Sequence, residues 1–312
     1  MARTVLIMGN GFDIELGLQS SYSQFAASPE WNDLVRSKIE AYNLYRAEDS
    51  LILFIEKARL KDNWFDIELS IHDFITTKQN ISQEAANVVK GEFEDLKSSL
   101  QHYLCRITDE YNLNKENNAR LLLSKVNGCP FGSYIASFNY TDCLRLCNLQ
   151  RNPNGTDFAY IHGNLATGIV LGCDKFDNEN VNRSLSFLYK YNMLNKTNQI
   201  VTSMRKSREI VFYGHSVNEM DFNYFKDFFM YVSKPLAPYP PKRLTFITKD
   251  LDSIREIKDN MRNQGISLID MYCNLESFDF ILSSQIGIQN SDSSKKWKKL
   301  LERIVDYNDK TK

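Results

Sequence analysis

Apolar and polar positions follow two different rhythms along this chain. Thr4-Val5-Leu6-Ile7-Met8 is a short apolar run rich in β-branched side chains, and it meets Gly9-Asn10-Gly11 and then residues at helical spacing. That order predicts strand, tight turn, helix. From Trp31 to about Val126 the rhythm is helical. Val89, Phe93, Leu96, Leu100, Tyr103, Ile107 and Tyr111 recur at three and four residues and make one apolar stripe. Ser82 is placed to cap that helix, with Glu84 in its first turn. Shorter helices are predicted at Ser50–Leu60 and Ala119–Val126.

Beyond Val126 strand and helix patterns alternate. Ser133–Phe138, Phe158–Ile161, Ile169–Leu171, Ile210–Tyr213, Leu244–Thr248 and Ile266–Met271 read as strands. A helical run after Asp142 to Leu149, then Met220–Val232, Asp252–Asn263 stopped by Gly265, and Ser293–Tyr307 read as helices. Asn152-Pro153-Asn154-Gly155 is a predicted turn, and Pro235 to Pro241 a proline-rich connection. The alternation predicts an α/β fold. Its expected form is a Rossmann-like, mostly parallel sheet with helices on both faces, in one domain over 1–312. The helical stretch at about 26–126 is an insertion, expected to act as a lid on the ligand edge. A terminal helix is expected at about 293–307, with Trp297, Leu300, Leu301, Ile304 and Val305 on one face.

Composition narrows the partners. The chain has 312 residues, 43% hydrophobic and 25% charged, which is the profile of a soluble protein with a sizeable core. A net charge of -1 disfavours a nucleic-acid backbone or a membrane as the main partner. The four lysines around Trp297 are the only dense basic run. No stretch reaches the roughly 18 apolar residues of a membrane span, and the amino terminus lacks a signal-peptide layout, so a cytoplasmic protein is expected. Cys105, Cys129, Cys143, Cys147, Cys173 and Cys273 are scattered, as reduced, mostly buried thiols are. Cys143 and Cys147 lack the second close pair that a zinc site needs, and no metal is predicted.

Polar turns carry the candidate chemistry. Gly9–Asp13, Asn139–Asp142, His162–Asn164 and Gly214–Ser216 each follow an apolar strand-like run. In open parallel sheets ligands bind beyond the carboxyl ends of the strands, so these turns are expected on one edge. Each has a plain structural reading: a βα turn, a helix cap, a buried histidine, a tight turn. The first turn is also an incomplete Gly-x-Gly-x-x-Gly, with Ile14 in place of the third glycine. Ser20 to Ser23 supply hydroxyls for a ligand or for a solvated loop. Asp66 and Glu68, amid Trp64 and Phe65, face a cleft or open a helix, and with Asp13 they are the carboxylates a metal-dependent nuclease would use.

Taken together, Asn10-Gly-Phe-Asp13 with Ser21–Phe25, Trp64-x-Asp-x-Glu68, Phe138-Asn-Tyr-Thr141, Tyr160-Ile-His-Gly163, and Gly214-His-Ser216 with Asp221 and Tyr224-Phe225 resemble the AbiH family of bacteriophage abortive-infection proteins. The Asn139, His162-Gly163 and Gly214-x-Ser216 series is more distantly similar to the sirtuin-type (sirtuin/DHS-like) NAD-binding fold. Against the deacylases of that fold, Asp142 is three residues from Asn139 rather than two, the zinc ribbon is absent and the first loop is not Gly-Ala-Gly. The resemblance therefore implies NAD as substrate and hydrolysis of its nicotinamide–ribose bond in phage defence, not deacylation. Under it, Asn139 and His162 are catalytic: Asn139 holds water and a ribose hydroxyl, and His162 accepts a proton. Gly9, Asn10 and Gly11 cradle phosphate. Asp13, Ser216 and Asp221 meet ribose hydroxyls, and Gly163, Gly214 and His215 complete the nucleotide site. The alternatives are an NAD or ADP-ribose sensor without catalysis, and the nuclease toxin. Beyond a small-molecule nucleotide, the expected partners are a second copy of the chain or a phage-derived trigger.

Overall fold

A computed structural model describes residues 4–41, 49–60, 66–78, 81–113, 117–129, 132–151, 155–173, 183–190, 194–234 and 241–306. Trp64 and Phe65, most of the Asn152–Gly155 turn and nearly all of the proline-rich connection lie outside them. In chain order the elements are β1 (Thr4–Met8), α1 (Asn10–Leu16), α2 (Tyr22–Ala26), α3 (Pro29–Ala41), α4 (Leu51–Arg59), α5 (Ile67–Thr77), α6 (Gln83–Asp109) and α7 (Asn118–Asn127). Then come β2 (Ser133–Ser137), α8 (Cys143–Leu146), β3 (Thr156–Tyr160), β4 (Gly163–Asn164), β5 (Gly168–Ile169), α9 (Leu194–Lys206), β6 (Glu209–Tyr213), α10 (Glu219–Phe222) and α11 (Lys226–Val232). Last are β7 (Arg243–Thr248), α12 (Leu251–Asn263), α13 (Leu268–Asn274), β8 (Ser277–Leu282) and α14 (Asp292–Asp306). They fall into two compact units. One holds Met1–Gly17, Asn112–Ile161 and Met193–Lys312, and the other Leu18–Tyr111 and His162–Asn192.

The first unit is built on a six-stranded sheet in the order β3-β2-β1-β6-β7-β8, parallel throughout. All five residues of β1 are buried, which is why its sequence runs apolar instead of alternating. On one face Val5, Ile7, Phe212 and Phe246 pack with Phe225, Phe228 and Phe229 of the α10–α11 region and with Ile257, Met261 and Met271 of α12 and α13. Helices α7 and α14 serve the other side, with Trp297, Leu300 and Ile304 of α14 buried. The chain extends from β1 towards β2 and β3 in one direction and towards β6, β7 and β8 in the other. The turn-over point lies between β1 and β6, where parallel α/β sheets place their ligands.

The second unit is mostly helical. Ser82 caps α6 by accepting the Ala85 N–H, as its sequence predicts. Arg106 on α6 grips both oxygens of Glu30 on α3 at 2.6 and 3.1 Å, and this guanidinium holds the Glu30 carboxyl down near 2. The capping hydroxyl of Ser50 on α4 donates to buried Glu92 on α6. Strands β4 and β5 form a small antiparallel ribbon.

Several expectations need correction. Residues 266–271 are not a strand. Ser267 accepts the Asp270 N–H and starts helix α13, which buries Leu268 and Met271 three residues apart and leaves Ile269 exposed. The last strand is instead β8, Ser277–Leu282. Ile169 belongs to the antiparallel ribbon, not to the main sheet. The predicted helix over 220–232 is two helices, and the run after Asp142 is a single turn. Helix α7, counted with the insertion, belongs to the sheet unit.

Candidate functional site

The site is built from three loops that leave neighbouring strands at the carboxyl edge of the sheet unit. Beyond β1, Gly9 donates to the Tyr213 carbonyl at 3.0 Å and Gly11 to the Gly214 carbonyl at 2.9 Å. The β1 and β6 loops therefore lie backbone on backbone. A Cβ on Gly9 would sit 2.6 Å from the Gly214 oxygen, and one on Gly11 2.6 Å from the Gly214 Cα. Gly214 has a φ of 61° and would drive a Cβ into the backbone of Gly11 and Phe12. These glycines are explained by the approach of two loops, and the amides of Gly9 and Gly11 have protein partners. Asn10, which opens α1, is exposed.

Asp13 is the centre of the constellation. It is 1% exposed, and among the described residues its hydrogen bonds come from neutral donors. Asn139 Nδ2 donates to its Oδ1 at 2.7 Å and Thr141 Oγ1 to its Oδ2 at 2.6 Å. The same Asn139 Nδ2 donates to the Gly9 carbonyl at 3.1 Å, which ties the β2 loop to the β1 loop. Burial pushes the Asp13 carboxyl up to about 6, against the downward pull of Thr141 and Asn139. Burial first, and the Asp13 charge after it, also hold up the neighbouring Cys143 thiol. Cys147 is raised to about 12, chiefly by burial. Both cysteines are protonated and unreactive at neutral pH.

Asp142, whose spacing from Asn139 departs from the sirtuin pattern, caps α8 through the N–H groups of Leu144 and Arg145 and accepts the Tyr160 hydroxyl at 3.0 Å. It fastens the ends of β2 and β3 together. His215 lies buried in an aromatic nest, edge-on to Phe138 at 4.5 Å and to Phe225 at 5.2 Å. Its Nδ1 accepts the Val217 N–H at 3.0 Å, and its Nε2 stands 3.7 Å from the Asp221 carboxylate. Val217 has a φ of 52°, a strained setting for a β-branched residue, and its buried side chain and the His215 bond hold it there. The Ser216 carbonyl accepts from Asn260 of α12.

Gly9, Asn10, Gly11, Asp13, Asn139, Gly214, His215, Ser216 and Asp221 thus all fall in the sheet unit, at or next to the ends of β1, β2 and β6. His162 and Gly163 belong to the other unit. There His162 is buried, its carbonyl accepts the Val170 N–H, and Gly163 serves the β4–β5 ribbon at a φ of 75°. Asp66 is a helix cap, accepting from Glu68 and Leu69, and Glu68 forms a buried ion pair with Lys190 at 2.7 Å. The helix-start reading describes Asp66. Thr141 is the member of the Asp13 cluster that the sequence left without a role, although it stands in the Asn139–Asp142 turn and closes the Phe138-Asn-Tyr-Thr141 motif.

No curated protein matches the chain. A family model described as bacteriophage abortive infection AbiH matches residues 5–236, from β1 to just beyond α11. The matched span includes every residue of the Asp13 and His215 clusters. The chain belongs to the AbiH family and is an anti-phage abortive-infection protein.

Proposed function

We propose that the carboxyl edge of the sheet unit binds NAD and that the protein hydrolyses the bond between nicotinamide and ribose. The observation that carries this reading is the joining of the β1, β2 and β6 loops at the turn-over point of an all-parallel sheet. Asn139 bonds Gly9 and Asp13 there, and Gly11 bonds Gly214. Cleavage passes through an oxocarbenium-like state with a good leaving group. The protein has to orient the ribose and hold a water at the anomeric carbon. In this reading Asn139 does the holding. Asn10, Ser216 and Asp221 supply contacts to phosphate and sugar, while Gly9, Gly11, Gly214 and His215 shape the loops that carry them. His162 follows β3 by two residues and is assigned the proton-accepting step, a task suited to an imidazole and worth roughly 10²–10⁴-fold. Activity needs restraint in an uninfected cell, and a phage product or self-association supplies it.

The test is incubation of the purified protein with NAD, with and without phage lysate, reading free nicotinamide. Release that disappears in Asn139→Ala is expected. Release at an unchanged rate in His162→Ala removes the base assignment. Tight NAD binding with no release under either condition replaces the enzyme with a sensor.

A further inference from the structure

Asn139 has an amide whose orientation is fixed by chemistry. Its two hydrogen-bond partners, the Gly9 carbonyl at 3.1 Å and the Asp13 carboxylate at 2.7 Å, both accept. The nitrogen must therefore face inward, because the amide oxygen would meet two other oxygens. That leaves Oδ1 as the side-chain atom that takes no hydrogen bond among the described residues. Asp13 is itself held by a second donor, Thr141 Oγ1 at 2.6 Å, so both of its oxygens are committed. The remaining groups named around it, the Cys143 and Cys147 thiols of α8, are kept neutral, mainly by their own burial. A buried carboxylate in such a setting costs stability, which marks it as retained for what it positions.

We infer that Asp13 is a positioning residue acting through Asn139, that it makes Asn139 Oδ1 the atom offered beyond β2, and that the ligand group bound there is a hydrogen-bond donor, either a sugar hydroxyl or a water. This rests on the NAD reading for the identity of the ligand but not for the orientation of the amide. An acceptor at that point excludes direct contact with a phosphate oxygen, which would face the amide oxygen as one acceptor faces another. It suits a ribose hydroxyl or the attacking water, each of which has a proton to give.

Calorimetry with NAD and the full chain tests the ligand side. Asp13→Ala and Asn139→Ala are each expected to weaken binding about tenfold, and the double variant to bind no worse than either single one. Asp13→Asn should stay within about threefold of the parent, because its carbonyl still accepts from Asn139 and Thr141 can turn its hydroxyl to accept. Losses that multiply in the double variant, or parent-like binding by Asp13→Ala, overturn the proposal. The orientation is tested without any ligand by the side-chain amide resonances of ¹⁵N-labelled asparagine. The pair assigned to Asn139 by its loss in Asn139→Asp should shift with pH around 6 in the parent and not in Asp13→Asn. If the Asn139 pair has the same shift in the parent and in Asp13→Asn at every pH, the positioning role is wrong even where NAD binds. If it titrates but the parent binds no NAD, the orientation stands and the NAD reading falls.

Discussion

The two edges of the same sheet bury their carboxylates in opposite ways. At the amino edge Glu209 opens β6 with 3% exposure. Two arginines answer it: Arg303 from α14, with Nη2 3.1 Å from Oε1, and Arg243 from β7, 3.7 Å from Oε2. Arg243 reaches on to Glu276, which Arg208 also holds. Nearby, buried Lys242 gives its ammonium to the carbonyls of Met204, Arg205 and Ser207, where α9 ends. At the carboxyl edge Asp13 is met, among the described residues, by an amide and a hydroxyl. Charge answered by charge clamps helices and strand ends in place. Charge answered by neutral donors fixes an amide instead, with its nitrogen committed to Gly9 and Asp13. The first arrangement fastens structure, and the second spends stability on orienting a group.

The sharpest way to break this contrast is Gly214→Ala. It forces a Cβ into the Gly11 backbone at a positive φ and should cost on the order of 4 kcal/mol or more, read by chemical denaturation. A loss below about 1 kcal/mol would mean that the two loops yield easily and hold no fixed site. Arg303→Met tests the amino edge. Removing one partner of a buried pair should cost roughly 3 kcal/mol at pH 8. Burial raises the Glu209 carboxyl to about 7 despite both arginines, so the loss should shrink at pH 5, where Glu209 is already neutral. An equal loss at both pH values would show that Arg303 acts by packing alone.

Asp13→Asn should do the reverse and stabilise. The folded carboxyl sits at about 6 against an ordinary aspartate value of 3.8, so the folded state binds the proton more tightly between those values. The stability linked to Asp13 is fully present below pH 3.8 and is lost as pH rises through 6. At about 1.4 kcal/mol per unit, the variant should gain up to about 3 kcal/mol over the parent at pH 8 and nothing at pH 4. Thermal melts at the two pH values decide it, and a destabilised variant at pH 8 would make the two edges alike. The smallest effect is expected of Thr141→Val. It removes one donor to Asp13, costs about 1 kcal/mol, and moves the Asp13 titration upward, which the Asn139 amide resonance reports.

Much of this frame is legible in the sequence. The unbroken apolar run Val5–Met8 declares a strand buried on both faces, and the capping serine at 82 declares the start of the long helix. Residues 266–271 mislead because Ile266, Leu268 and Ile269 fit either rhythm over so short a run, and only the Ser267 cap decides for helix. The polar turns can be seen in the sequence, but their wiring cannot. Asp13 reads as a ligand contact, whereas its partners are Asn139 and Thr141, far along the chain. Nothing local announces that Gly9 and Gly11 face Gly214 rather than a phosphate. Pairings of this kind depend on strand order, which periodicity does not encode.

The position of β1 has a consequence for how the molecule is made. Of the strands in its sheet it is the first in chain order, and its neighbours on the two sides are β2, where Met8 meets Ser137, and β6, where Met8 meets Tyr213. A growing chain can therefore close one edge of β1 once Ser137 is made, but the other stays open until Tyr213 has been added. An unpaired strand edge can pair with other chains, so β1 depends on β6 to close it. It also means that nascent chains truncated before β6 lack the loop on which the glycine turn rests, so premature fragments of this defence protein are made without their assembled edge.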